Sequence, residues 1–182
     1  MGMAAPVYYS AEMVRNIPDD GNRYETVLGE LLVTPAPRPL HQRVVLGWAR
    51  VLADYVDEHG GGEVFVSPGD ISWSPDTLVQ PDVFVVDLAE ARTGEWSMMK
   101  NLMLVVEVLS PGTTRQDRFA KRRLYQEVGV PLHWIVDPEQ KIVEVWTPRA
   151  QFPSIERERL VWTQESAAES CVLDLEELFK PI

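Results

Sequence analysis

Cysteine is almost missing from this chain: Cys171 is the only one in 182 residues. An internal disulfide and a cysteine-based zinc site are both excluded. Histidine is sparse, and His41, His59 and His133 show no metal-ligand spacing. Long apolar runs are lacking as well. The longest, Leu102 to Leu109, has eight residues with Glu107 inside it, against the roughly 18–20 needed to span a bilayer. No charged-then-apolar leader is visible at the start of the chain, so no secretory signal is expected. These absences point to a cytoplasmic protein without membrane contact. No glycine loop of the phosphate-cradling type occurs, and Ser110-Pro111-Gly112 lacks the pattern of a nucleophile elbow. Positive charge is in short supply too: 17 Lys and Arg face 28 Asp and Glu, a net charge of −11. That counts against a nonspecific nucleic-acid binder with a broad basic surface.

What is present is an ordinary globular composition, 45% hydrophobic and 25% charged, fitting one domain over residues 1–182. Ser10 can cap a short helix, Ala11 to Asn16. Arg23 to Leu28 and Glu30 to Val33 flank Gly29 as a β-hairpin. Three prolines (Pro35, Pro37, Pro39) lead into a helix of roughly 40–58, where Val44, Val45, Trp48, Leu52, Tyr55 and Val56 recur at helical spacing. Short strands follow at 63–67 and 70–73, then strands at 81–87 and 102–109. A helix of about 114–128, ended by Gly129, precedes a hairpin of 132–136 and 142–146. A further edge strand over 157–162 and a closing helix over 174–179 complete the chain. This order predicts an α/β fold, a mixed β-sheet flanked by helices with an N-terminal helix and hairpin.

One carboxylate sits where it should not. Leu102-Met103-Leu104-Val105-Val106-Glu107-Val108-Leu109 reads as a strand covered on both faces, and a lone buried charge is costly. Asp82 opens the preceding strand, and 24 residues separate it from Glu107, enough to turn and lie alongside. Two carboxylates meeting there repel unless a cation lies between them, and Mg²⁺ takes such hard oxygen ligands. On the next helix Asp117, Lys121 and Tyr125 form one row at four-residue spacing, bordering the buried face. Each residue also has a plainer explanation. Asp82 suits a strand start after proline, and Glu107 could pair with a buried arginine. Lys121 could form a surface ion pair with Asp117. Glu30, the fourth candidate, suits an edge strand. Arg115, Arg118, Lys121, Arg122 and Arg123 form one basic helix on an acidic body, either a solvated face or a phosphate-contacting one.

Taken in order, the segments resemble a known family. Arg23-Tyr24-Glu25-Thr26-Val27-Leu28-Gly29-Glu30-Leu31 is similar to its RYELIDGEL opening, and His41 falls at its next landmark. Pro81-Asp82-Val83 matches its PDV. Glu107-Val108-Leu109-Ser110-Pro111-Gly112-Thr113 with Asp117, Lys121 and Tyr125 matches EVLSPST…D…K…Y. Gly129-Val130-Pro131 and Trp134-Ile135-Val136-Asp137-Pro138 match GVPEYWIVDP. The chain thus resembles the Uma-family restriction endonucleases, a branch of the PD-(D/E)XK nuclease superfamily, over roughly residues 8–146. The resemblance implies a restriction-endonuclease-like core and Mg²⁺- or Mn²⁺-dependent hydrolysis of phosphodiester bonds in DNA. Asp82 and Glu107 would be the metal ligands, with Lys121 from the helix replacing the superfamily lysine whose usual place is Leu109. Glu30 would complete the metal shell or act as a base, giving the catalytic set Glu30, Asp82, Glu107 and Lys121. A homodimer is implied where both strands are cut. Gln80, where arginine is common, and Leu132-His133, in place of Glu-Tyr, depart from the pattern. Two other readings stand beside this one: a catalytically silent nuclease-fold module binding DNA or a protein partner, and a metal-dependent hydrolase of a small phosphorylated molecule.

Overall fold

The computed structural model describes residues 7–180. Ser10 accepts a hydrogen bond from the Met13 amide and so caps α1 (Ala11–Arg15). β1 (Arg23–Val27) and β2 (Glu30–Thr34) form the expected hairpin. Its turn places both Leu28 and Gly29 at positive φ. Tyr8 packs so closely on Gly29 that an added Cβ would lie 2.4 Å from its ring, which leaves no room for a side chain. Pro39 opens α2 (Pro39–His59), the long helix, and Gly60 ends it.

The main sheet has six strands in the order β3-β4-β5-β6-β7-β8. These are Gly62–Val66, Val83–Asp87, Leu102–Val108, His133–Asp137, Ile142–Trp146 and Ser154–Glu156. β5 and β6 are parallel and the other neighbours antiparallel, so this is the mixed sheet expected. α3 (Leu88–Ala91) follows β4 directly, capped by Asp87. The segment after β5 does not form a simple α-helix. Gln116–Lys121 is a π-helical turn that runs straight into α4 (Arg122–Glu127). Segment 157–162 differs from expectation as well. β9 (Arg159–Trp162) pairs with β10 (Cys171–Asp174) in a separate two-stranded ribbon, and β8 takes the sheet edge. Asp174 caps α5 (Leu175–Leu178).

Strand alternation sorts the core into two layers. Val83, Val85, Leu104, Val106, Val108 and Trp134 face α2, whose Trp48 and Leu52 are wholly buried against them. Trp48 meets Trp134 edge-on at 5.7 Å between ring centroids. Phe84, Val86 and Val105 face the opposite way, toward Val27 and Leu32 of the hairpin and Leu124 and Tyr125 of α4. Glu107 shares the face of Val105, so it points into the layer between hairpin and α4. The hairpin is held there by Thr26, whose amide and carbonyl bond to Leu78 at 2.8 Å each. Among the described residues no helix is long and apolar enough to cross a membrane.

Since Leu52 of α2 is wholly buried in this layer, Leu52→Ala should cost about 2–5 kcal/mol of stability, read as a lower urea midpoint with an unchanged slope.

Candidate active site

The acid in the apolar strand finds its cation. Lys121 and Glu107 are 1% and 0% exposed, and the Lys121 Nζ lies 3.3 Å from both carboxylate oxygens of Glu107. The same ammonium lies 2.9 Å from Glu25 Oε1 and 3.6 Å from Asp117 Oδ1. Tyr125 donates its hydroxyl hydrogen to Glu107 Oε1 at 2.6 Å. The π-helical turn carries both Asp117 and Lys121 inward, an arrangement often found at functional sites.

Asp82 is 1% exposed and stands just before β4. Its Oδ2 accepts the Val108 amide hydrogen at 2.9 Å, one residue beyond Glu107, so the two acids occupy adjacent strand positions. His41 Nε2 lies 3.1 Å from the same oxygen. Arg23 donates to Oδ1 at 3.1 Å and to the Gln80 carbonyl at 3.3 Å. Glu25 Oε1 also accepts from the Gln80 amide at 2.7 Å.

Asp82, Glu107 and Lys121 therefore meet in one buried cluster. Glu30 does not join them. It lies on the hairpin face that bears Glu25, yet pairs with Val27 beside the turn, and its side chain is exposed. The cluster forms at the other end of the hairpin, where Arg23 pairs with Thr34. Glu25 takes the place expected for Glu30. The sequence does carry a signal for this: Arg23 and Glu25 are two residues apart in a strand, so a cation and an acid share one face. His41 and Arg23 are further members that sequence reasoning leaves unassigned. Most of the basic helix is engaged by neighbouring side chains. Arg118 binds Asp137 and Glu144 at 3.2 and 2.7 Å. Arg122 lies 4.6 Å over the Trp146 ring, and Arg123 pairs with Glu127 at 3.1 Å.

Protonation follows from this packing. Burial pushes the Glu107 carboxyl up to about 8, and Asp117, Asp82 and Glu25 add to the shift against the pull of Lys121. Burial likewise raises Asp117 to about 6. Asp82 goes the other way: its desolvation is outweighed by the hydrogen bond from His41 and the charge of Arg23, which hold it well below the usual range. Burial works to discharge Lys121, but Glu107, Glu25 and Asp117 outweigh it and keep the ammonium charged.

Four carboxylates and two permanent cations, Arg23 and Lys121, make up this cluster. Carboxyl groups outnumber the permanent cations there by two, and Glu25 Oε2 is buried without a hydrogen bond. That donor set and charge fit a divalent cation with hard oxygen ligands. Among the described residues no three acidic, histidine or cysteine side chains already converge as a metal shell. The cations stand among the carboxylates instead, so loading requires local side-chain movement.

The raised Glu107 sets a pH-dependent stability. Between its ordinary value near 4.5 and about 8, the unfolded chain releases a proton that the folded chain keeps. Stability of the metal-free protein must therefore fall as pH rises through that window. Glu107→Gln removes the penalty and leaves Lys121 paired with Glu25 and Asp117. In chelator it should be more stable than the parent by about 1–3 kcal/mol at pH 8, with the gain shrinking toward pH 5. Denaturant titrations at the two pH values read this directly, and a loss of stability at pH 8 would contradict it.

Comparison with known proteins agrees with this architecture. No curated protein matches the chain. A similar solved structure is titled "Crystal structure of a putative nuclease belonging to DUF820 from Anabaena variabilis ATCC 29413 at 1.96 A resolution". It shares 20% identity and a TM-score of 0.77, with 94% of this chain and 97% of that chain covered, and so establishes a common fold. The profile of the Uma2 family, described as "Putative restriction endonuclease", matches residues 11–176. That span takes in the hairpin, both acid-bearing strands and the lysine-bearing turn, and the chain belongs to the Uma2 family.

Proposed function

We propose that this protein is a metal-dependent endonuclease that hydrolyses phosphodiester bonds of DNA. The observation carrying the proposal is the buried meeting of Asp82, Glu107 and Lys121, supported by four carboxyl groups against two permanent cations in their cluster. Asp82 and Glu107 would hold Mg²⁺ or Mn²⁺. Bound there, the metal supplies Lewis acidity toward the phosphate and the attacking water.

The protein's own groups do the rest. Glu25 and Asp117 fix the Lys121 ammonium, which offsets charge growing on the phosphorus centre. Tyr125 holds the Glu107 carboxylate through its 2.6 Å hydrogen bond, limiting rotation of that acid. Arg23 reaches both the cluster and the cleft in front of it, so its guanidinium suits the charge of the cut strand. Water attacks phosphorus to form a new P–O bond as the opposite P–O bond breaks, and the leaving oxygen gains a proton in balance with the one the water gives up. Cutting both strands of a duplex calls for two such centres, hence a homodimer. A lone buried thiol at Cys171 suits the cytoplasm.

The silent-module reading draws on one observation, the engagement of every carboxylate by a cation. The two readings part in a plasmid-nicking assay with Mg²⁺ or Mn²⁺. Activity should vanish with chelator and fall at least about 10²-fold in Asp82→Ala, Glu107→Gln or Lys121→Met. In parallel, Mg²⁺ should raise the melting temperature of the parent but not of Glu107→Gln. Undiminished nicking by the three variants, or no response of the parent to metal, would defeat the proposal.

A further inference from the structure

A cleft of about 930 Å³ opens in front of the carboxylate cluster, with Arg23 and His41 in its lining. Its wall also includes Thr34 and Arg38. Thr34 is 8% exposed, and its hydroxyl has no hydrogen-bond partner. Arg23 faces it across the hairpin as its cross-strand partner, and its Nε is engaged by Glu25 Oε2 in a 3.7 Å ion pair. The Thr34 hydroxyl is thus a buried polar group left unused, a costly arrangement unless a ligand takes it up.

The third element is the start of α2. This helix is 21 residues long, no side chain caps it, and its first turn holds no acid. The amides of its first turn thus have no capping side chain and no acid within that turn to answer them. Arg38 stands at the cap position, exposed, with no partner for its guanidinium among the described residues. Acids on the same cleft are already engaged: Asp70 pairs with Arg15 at 3.3 Å, and Asp19 accepts from the Gly21 amide. The unused groups are donors and positive charge, which together select a tetrahedral oxyanion.

We propose that Thr34, Arg38 and the first turn of α2 form a phosphate subsite in this cleft, taking the phosphate of a nucleic-acid strand adjacent to the one presented to the carboxylates. The strand as ligand rests on the nuclease reading; phosphate binding itself does not. The subsite holds a strand in register without touching the reacting atoms, so Thr34 and Arg38 are positioning residues. Losing them should raise KM while leaving kcat nearly unchanged.

The test uses the full chain in chelator. Inorganic phosphate, compared with chloride at equal ionic strength, should raise the melting temperature and broaden the ³¹P resonance. Thr34→Val and Arg38→Gln should each weaken that binding about tenfold, whereas Thr34→Ser should retain it. Melting temperatures of the variants in chloride no lower than that of the parent separate this effect from a folding defect. Fluorescence anisotropy with short single strands then locates the phosphate. Weakened binding of an unphosphorylated strand assigns an internal phosphodiester, and weakening of a 5′-phosphorylated strand alone assigns a terminal monoester. Both support the subsite. A Thr34- and Arg38-dependent response to inorganic phosphate, with neither strand bound, keeps the subsite and removes the nuclease reading. No response to phosphate in the parent, or an equal response in both variants, overturns the proposal.

Discussion

The structure turns on one buried ammonium. Lys121 is surrounded by Glu25, Glu107 and Asp117, and without its charge three carboxylates would share one dry pocket. The three acids come from different parts of the chain: the first hairpin strand, the central sheet strand and the π-helical turn. The lysine therefore ties hairpin, sheet and helix together by electrostatics as well as by packing. Ion pairs this deep rarely add net stability compared with apolar residues of the same volume. Their presence fits the chemistry proposed for the site better than a device for folding.

Much of the fold was legible because its signals are local. The proline-led α2, the glycine stops and the apolar strands each follow from a short window of residues. Glu107 was legible for the opposite reason, as a violation of the local pattern. An acid within Leu102 to Val108 has no explanation in a strand's own propensities, so it points beyond the strand. Asp82 and Lys121 followed from topology and helical spacing.

The rest depended on contacts that no local window contains. Glu25 and Glu30 are both hairpin acids on one face, and only the docking of the hairpin on the sheet decides which of them is buried. The basic helix misleads for the same reason. Arg118 and Arg122 look free in sequence, yet their partners Asp137, Glu144 and Trp146 lie on the hairpin of β6 and β7. Charge counts describe a chain, whereas a phosphate meets only the charges left over after folding. Arg38 beside the cleft belongs to that remainder, whereas Arg118 and Arg123 on the helix do not.

The π-helical turn at Gln116–Lys121 has a consequence for how such a site arises. A π turn holds one residue more than an α turn, and each residue advances the helix by roughly 100°. Excising one residue from it would swing the Lys121 amine about a quarter-turn around the axis, away from Glu107 and toward solvent or the neighbouring core. Presenting a lysine to Glu107 from this helix thus takes the extra residue as well as the lysine itself. Relatives with an uninterrupted α-helix here would have to carry their cation at a different position.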